Sequence, residues 1–253
     1  MEPEPTASKR TPVAPHPPLP QYYEKAEDRR SFVDRIFDDT AVHYDWINNV
    51  MSLGSGVVYR RDALRRAGVE TGMRVLDVCS GSCQVARAAE EIVGREGWVC
   101  GLDASLGMLR EGRNFVSAPL TQAFVERLPI ADEVVDAITM GYALRHVADL
   151  ETTFREYFRV LKPGGRLLIL EFTKPSSKLM FLASRFYLRR IVPALARLRG
   201  RKARTLMEYF WDTIEHCVPP ETIIDALSAA GFDNVGRSGQ IQLFSEYLAF
   251  KRE

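Results

Sequence analysis

No stretch of 18 or more apolar residues occurs in the 253-residue chain, which excludes a spanning helix. The N-terminus has no basic flank followed by an apolar core, so no secretory signal is read there. Excess charge of either sign is missing too. The 34 Lys and Arg stand against 33 Asp and Glu, and no global field argues for nucleic acid or membrane. Cysteine is scarce: Cys79, Cys83, Cys100 and Cys217 lie in apolar segments rather than in a disulfide framework. No second ligand pair stands at metal spacing beside Cys79 and Cys83, so no metal is expected. These absences predict a cytoplasmic protein.

What is there suits one large core, at 46% apolar residues. Residues 1–22 carry seven prolines and few large apolar side chains, which predicts a disordered tail ahead of one domain over 23–253. Helical spacing over 23–67 places Phe32, Ile36, Phe37, Tyr44, Ile47, Val50 and Met51 on one stripe. Strands are expected at 74–79, 97–103, 120–125, 134–140 and 166–172. Helices at 84–93, 106–114 and 150–161 fall between them, the last stopped by Lys162-Pro-Gly-Gly165. A helical segment over 173–219, a helix at 221–230 and a strand pair at 233–237 and 244–250 close the chain. Alternation of this kind predicts an α/β, doubly wound, mainly parallel sheet.

In such sheets ligands bind beyond the carboxyl ends of the strands. The small-residue turn Asp77-Val-Cys-Ser-Gly-Ser-Cys83 follows the first strand, and Asp103 ends the second about 20 residues later. A carboxylate there accepts hydrogen bonds from two ribose hydroxyls, and the pair favours an adenosine ligand. A nicotinamide dinucleotide would need G-x-G-x-x-G, but Gly81-Ser-Cys-Gln-Val-Ala86 has a single glycine.

From about Phe32 to Phe250 the chain resembles the C-methyltransferases of ubiquinone and menaquinone biosynthesis, the UbiE family. Tyr44-Asp45, Asn48, Met51-Ser-Leu-Gly54, Val75-Leu-Asp77, Asp103 and Leu128-Pro129 carry the likeness. So do Leu144-Arg-His-Val147 and, most specifically, Arg159-Val-Leu-Lys-Pro-Gly-Gly-Arg-Leu-Leu-Ile-Leu-Glu-Phe-Thr-Lys-Pro175. The resemblance implies the seven-stranded class I methyltransferase sheet, its last strand antiparallel, with a helical lid inserted after strand five. It implies S-adenosylmethionine as cofactor and an aromatic or polyprenyl quinol as methyl acceptor. Carried over by motif, Gly81 and Ser82 form the first turn, Asp103 meets the ribose, Gly141 the methionine portion, and Phe124-Val125 the adenine. Asp77, Cys83 and Met108 complete the expected cofactor set. Where Cys83 stands the family prefers glycine, and where Phe124 stands it prefers Asn or Asp. Glu126 is a substitute acceptor for the adenine amino group.

Carbon methylation of a phenolic ring needs a neighbouring hydroxyl to lose its proton. His146 has a suitable intrinsic pKa near 6.5, Arg145 could stabilise the phenolate, and Tyr44 could position the substrate. The family usually carries Asn at the histidine position, and His146 reads equally as a solvent-facing or capping residue. Acceptors methylated at oxygen or nitrogen, and a methyltransferase-fold scaffold without turnover, remain open. From Phe172 to Met207 there are ten Lys or Arg and no acidic residue, interleaved with large apolar side chains. That pattern fits either an anionic membrane surface or a solvated lid. Nucleic acid is not expected, because no stacking platform accompanies the arginines. Nothing indicates the oligomeric state.

Overall fold

In the computed structural model, which describes residues 12–25, 27–240 and 243–253, seven strands form one sheet of order β3-β2-β1-β4-β5-β7-β6. The strands are β1 (Arg74–Val78), β2 (Trp98–Asp103), β3 (Leu120–Gln122), β4 (Val135–Gly141), β5 (Leu161–Phe172), β6 (Asp233–Gln240) and β7 (Phe244–Phe250). β1 to β5 pair in parallel, and β7 runs antiparallel between β5 and β6.

Helices cover both faces, which is why the central strands read as continuous apolar runs. Val75, Ala137, Leu168 and Leu170 pack with residues of α2 (Gly56–Arg66) and α3 (Gln84–Val93). Their chain neighbours Leu76, Ile138, Leu167 and Ile169 pack on the other side with α5 (Leu150–Val160) and α9 (Pro220–Ala229). α1 (Asp28–Ser52) buries Val33, Ile36, Ala41 and Ile47 at helical spacing and ends at Leu53, whose φ is 49°. Ser105 caps α4 (Leu106–Gly112) by accepting the Met108 N–H at 3.1 Å.

Three segments differ from the sequence reading. β3 stops at Gln122, short of Val125. β5 starts at Leu161: Val135 pairs with Leu161 and Ala137 with Arg166, so Lys162–Gly165 form a bulge rather than a stop. Gly164, at φ 74°, supplies the left-handed step the bulge requires. After β5 come α6 (Lys178–Phe186), a π-turn over 187–191, α7 (Val192–Ala196) and α8 (Arg201–Glu215). Pro193 has no N–H to donate into the preceding turn, and the ladder widens there.

The third difference is the proline-rich tail. Residues 1–11 lie outside the described residues, but 12–22 pack against the domain, with His16 and Leu19 buried. The Val13 N–H donates to Asp149 Oδ1 at 2.8 Å, and the carbonyls of Val13 and Pro15 accept from Leu150 and Val218 at 2.9 and 2.8 Å. Arg29 donates to the His16 carbonyl at 2.7 Å and to that of Val147 at 3.1 Å. Prolines bring no donors of their own, so the segment is satisfied by accepting from its neighbours. Composition understated this, because three of the partners, Asp149, Leu150 and Val218, lie more than a hundred residues away.

Candidate active site

The strand order reverses between β1 and β4, and a cavity of about 590 Å³ opens beyond their carboxyl ends. That volume is typical of sites for ligands of cofactor size. Gly81, Asp103, Met108, Phe124, Val125, Glu126, Gly141, Tyr44 and His146 all line it. Pro12, Ala14, His16 and Pro18 of the N-terminal strap close over it with Arg29 and Arg30. A smaller cavity of about 30 Å³ at the first turn adds Asp77, Ser82 and Gln84.

Two buried carboxylates organise this end of the sheet. Asp77 accepts the Ala86 N–H at 3.0 Å and the Thr139 hydroxyl at 2.7 Å, which fixes the start of α3 against β4. Burial pushes its pKa up to about 7, against the opposing pull of those hydrogen bonds. Asp103 accepts the N–H groups of Gly81 and Ser105, each at 2.8 Å, so it joins the first turn to the start of α4. Burial, with Asp34 and Asp38 nearby, raises it to about 6, while the two N–H donors hold it down. Ser82 turns outward from the large cavity and donates to Asp45 of α1, which also accepts from Gln84 at 2.7 Å.

Three non-glycine residues around the cavity have left-handed backbones: Cys79 at φ 49°, Cys83 at 63° and Tyr142 at 63°. Each costs about 1–2 kcal/mol, and such strain gathers where a site is held in place by its surroundings.

Cys83 adopts the conformation that glycine would take, but its side chain does not lie beside the ligand. It is fully buried, its Sγ 3.9 Å from the Ser80 hydroxyl, and it fills the space where a Cβ on Gly112 would fall. The expected place of Cys83 in the cofactor set is therefore corrected for its side chain, because the turn directs Cβ into the core. Cys83→Gly should relieve backbone strain and leave a small void, effects of opposite sign and similar size. We expect S-adenosylhomocysteine affinity to change less than threefold, read by titration calorimetry.

Phe124 stands at the cavity wall, 42% exposed, with the Arg30 guanidinium 4.2 Å from its ring centre. Glu126 is already engaged, with Arg30 at 2.9 Å and the Ala148 N–H at 3.1 Å, so it is less open to an adenine amino group than its position suggested.

Arg145 is fully buried and lines neither the large cavity nor the first-turn one. Its Nε meets Glu171 at 2.9 Å, and its Nη1 donates to the Thr213 hydroxyl and the Phe210 carbonyl at 2.6 and 3.2 Å. It pins α8 to β5, and its expected contact with a phenolate is corrected. His146 is neither solvent-facing nor a cap. It stacks on Tyr209 at 5.5 Å between ring centres, with Phe37 edge-on at 5.2 Å. Burial lowers its pKa well below 6.5, helped by Arg145, His16 and Arg29. The imidazole is therefore neutral at pH 7, and an acid limb near pH 6.5 is not expected from it.

The residue model of the ubiE/COQ5 methyltransferase family matches residues 23–240. The chain belongs to the ubiE/COQ5 methyltransferase family. It is 34% identical over 216 residues to the "Ubiquinone/menaquinone biosynthesis C-methyltransferase UbiE" of Yersinia pestis (strain Pestoides F), covering 83% of this chain and 86% of that one. The protein of the same name from Yersinia pseudotuberculosis serotype O:1b (strain IP 31758) matches over the same shares. Among solved structures, phosphoethanolamine N-methyltransferase 2 of Haemonchus contortus with S-adenosyl-L-methionine superposes at TM-score 0.63 and 18% identity, over 89% of this chain and 60% of that one. A putative S-adenosyl-L-methionine-dependent methyltransferase of Methanococcus maripaludis gives TM-score 0.60 and 18% identity, over 86% and 94%. These last two show the fold. The protein is thus an S-adenosylmethionine-dependent methyltransferase of the ubiE/COQ5 type, and the cavity at β1 and β4 offers the Asp103 carboxylate beside the turn that carries Gly81.

Several residues in or supporting the cavity gave little sign of themselves in the sequence. Asp38, which holds the Ser105 hydroxyl at 2.5 Å and the Gly107 N–H at 2.8 Å, was hidden among the exposed charges of α1. Tyr142 lies within the Leu144-Arg-His-Val147 neighbourhood, yet only its backbone marks it as a cavity residue. Arg60 did leave a trace: it occupies the buried stripe of α2 with Gly56, Ala63 and Leu64, where an apolar residue is the rule.

Proposed function

We propose that this protein methylates a ring carbon of a hydroxylated aromatic acceptor of the quinol class. One observation carries the reading. A second cavity of about 290 Å³ adjoins the first, sharing Tyr44 and Tyr142 with it, and six aromatic side chains stand in its wall beside Arg60, Arg66 and Asp62. Tyr59, Tyr142, Phe172, Phe210 and Phe244 offer ring faces to a flat substrate. When bound, S-adenosylmethionine supplies a methyl group already activated on a sulfonium.

The chain's own part is alignment and one proton. Tyr44 and Tyr142 set the distance between the two cavities, since both line each. Burial raises the pKa of both hydroxyls above 10, so they act at neutral pH as hydrogen-bond partners rather than as bases. Neutral His146, at the wall of the larger cavity, is the proton acceptor in this reading, made weak by its surroundings. The test is incubation of the purified protein with S-adenosylmethionine and a demethylated quinol. A product heavier by one methylene, with carbon attachment seen by NMR, is expected. Methylation at oxygen, or at the nitrogen of an offered amine, would displace the proposal.

The same reading places the protein in the cytoplasm, at an anionic membrane surface. Leu179, Leu182 and Phe186 of α6 are 80%, 59% and 63% exposed, beside the exposed Lys178 and Arg185. Leu53, Val57 and Val58 are exposed near the second cavity, which Val58 lines. The Tyr187 hydroxyl, donating to the Val50 carbonyl at 2.7 Å, brings the two groups together. Among the described residues no helix is long and apolar enough to cross a membrane, so such a face would rest on lipid. Co-sedimentation should require anionic vesicles and fade as salt rises. Charge reversal at Arg185 and Arg190 is the variant to use, because Arg189 is paired with Glu215 at 3.1 Å. Binding indifferent to lipid charge and salt would remove the membrane part.

A further inference from the structure

Two buried arginines of the site have no carboxylate partner among the described residues, Arg29 and Arg60, but Arg29 is held by His16 and the Val147 carbonyl. Arg60 is 6% exposed, and among the described residues it forms no ion pair and no hydrogen bond. Its guanidinium carbon lies 5.3 Å from the centre of the Tyr142 ring. The neighbouring carboxylates are committed elsewhere. Asp77 is held by Thr139 and Ala86, Asp45 by Ser82 and Gln84, Asp62 lies beside Arg61, and Glu246 is bonded to Arg66 at 2.6 Å. A buried charge with no counterion is costly, and it persists where a ligand completes it.

Position says which ligand. Arg60 lines the first-turn cavity together with Gly81, Ser82 and Gly141, whereas Phe124 and Met108, expected at the adenosine, line the large cavity and not this one. With Asp103 at the ribose, the amino-acid end of the cofactor extends toward that turn. We infer that Arg60 binds the α-carboxylate of the cofactor's methionyl group, so that carboxylate and guanidinium neutralise one another inside the protein. Tyr44, Tyr142 and Asp77 all feel the Arg60 charge, which places it at this end of the site. Arg60 also lines the second cavity. Once neutralised, the shared wall suits an uncharged acceptor. The inference does not depend on the acceptor's identity.

Calorimetry with three product-like probes tests it: S-adenosylhomocysteine, its decarboxylated analogue and methylthioadenosine, which lacks the whole amino-acid end. The wild-type protein should bind the decarboxylated analogue about 30-fold more weakly than S-adenosylhomocysteine, the size expected for a charge-assisted pair. Arg60→Met should bind the two alike and should bind methylthioadenosine as the wild type does, which shows that the adenosyl end is intact. Arg60→Lys should keep part of the discrimination. Equal binding of the first two probes by the wild type overturns the inference without any variant. So does Arg60→Met that keeps the wild-type preference, or that leaves all three affinities alone and raises only the acceptor's KM, which would assign the guanidinium to the acceptor's anion.

Discussion

Replacing Asp103 by alanine should weaken S-adenosylhomocysteine binding by roughly 2–4 kcal/mol, about 30- to 1000-fold, measured by titration calorimetry. The carboxylate accepts from Gly81 and Ser105 already, so its removal loosens the first turn as well as the proposed ribose contact. Asp103→Asn, which keeps one acceptor oxygen, should fall between. The pH dependence follows from the raised pKa of about 6. Only the ionised form receives both ribose hydroxyls, so affinity should hold above pH 6 and fall below it. The fall approaches about 1.4 kcal/mol per pH unit. In Asp103→Ala that limb should vanish. An unchanged affinity in a folded variant would mean that the ribose is held elsewhere.

The second large effect concerns stability. Arg145→Met removes one partner of a fully buried ion pair and leaves Glu171 charged in the core. The expected loss is about 3–5 kcal/mol of unfolding free energy, seen as a lower midpoint in urea. The double variant Arg145→Met, Glu171→Leu should recover most of it, since a well-packed apolar pair often equals a buried ionic one. A catalytic arginine behaves otherwise: Arg145→Met would then melt like the wild type and lose only turnover.

These two residues show what was legible beforehand. Asp103 could be placed from sequence because a strand end and a spacing are local properties, and the sheet order follows from them. The strands buried on both faces announced themselves as runs such as Val75-Leu-Asp-Val78. Arg145 could not be placed, because whether its side chain meets solvent, substrate or Glu171 depends on α8, some 65 residues on, through the Phe210 carbonyl. Cys83 divides the same way. The glycine the family prefers there is a local sign of its left-handed backbone, whereas the direction of its Cβ depends on Gly112 across the interface. His146 was assigned an ordinary basicity because sequence carries no dielectric. The π-turn and the bulge at Lys162–Gly165 were missed as departures from regular ladders, which periodicity averages away.

The strap over 12–18 turns the adenosine cavity from an open cleft into a room with a door. Its residues wall the ligand yet are tied down by bonds to Asp149, Leu150, Val218 and Arg29 rather than by any fused element of the sheet. Exchange of spent cofactor for fresh then becomes a matter of residence time, set by how often those few bonds open together. A bulky fusion partner attached ahead of the strap would change that timing without touching a residue of the chemistry.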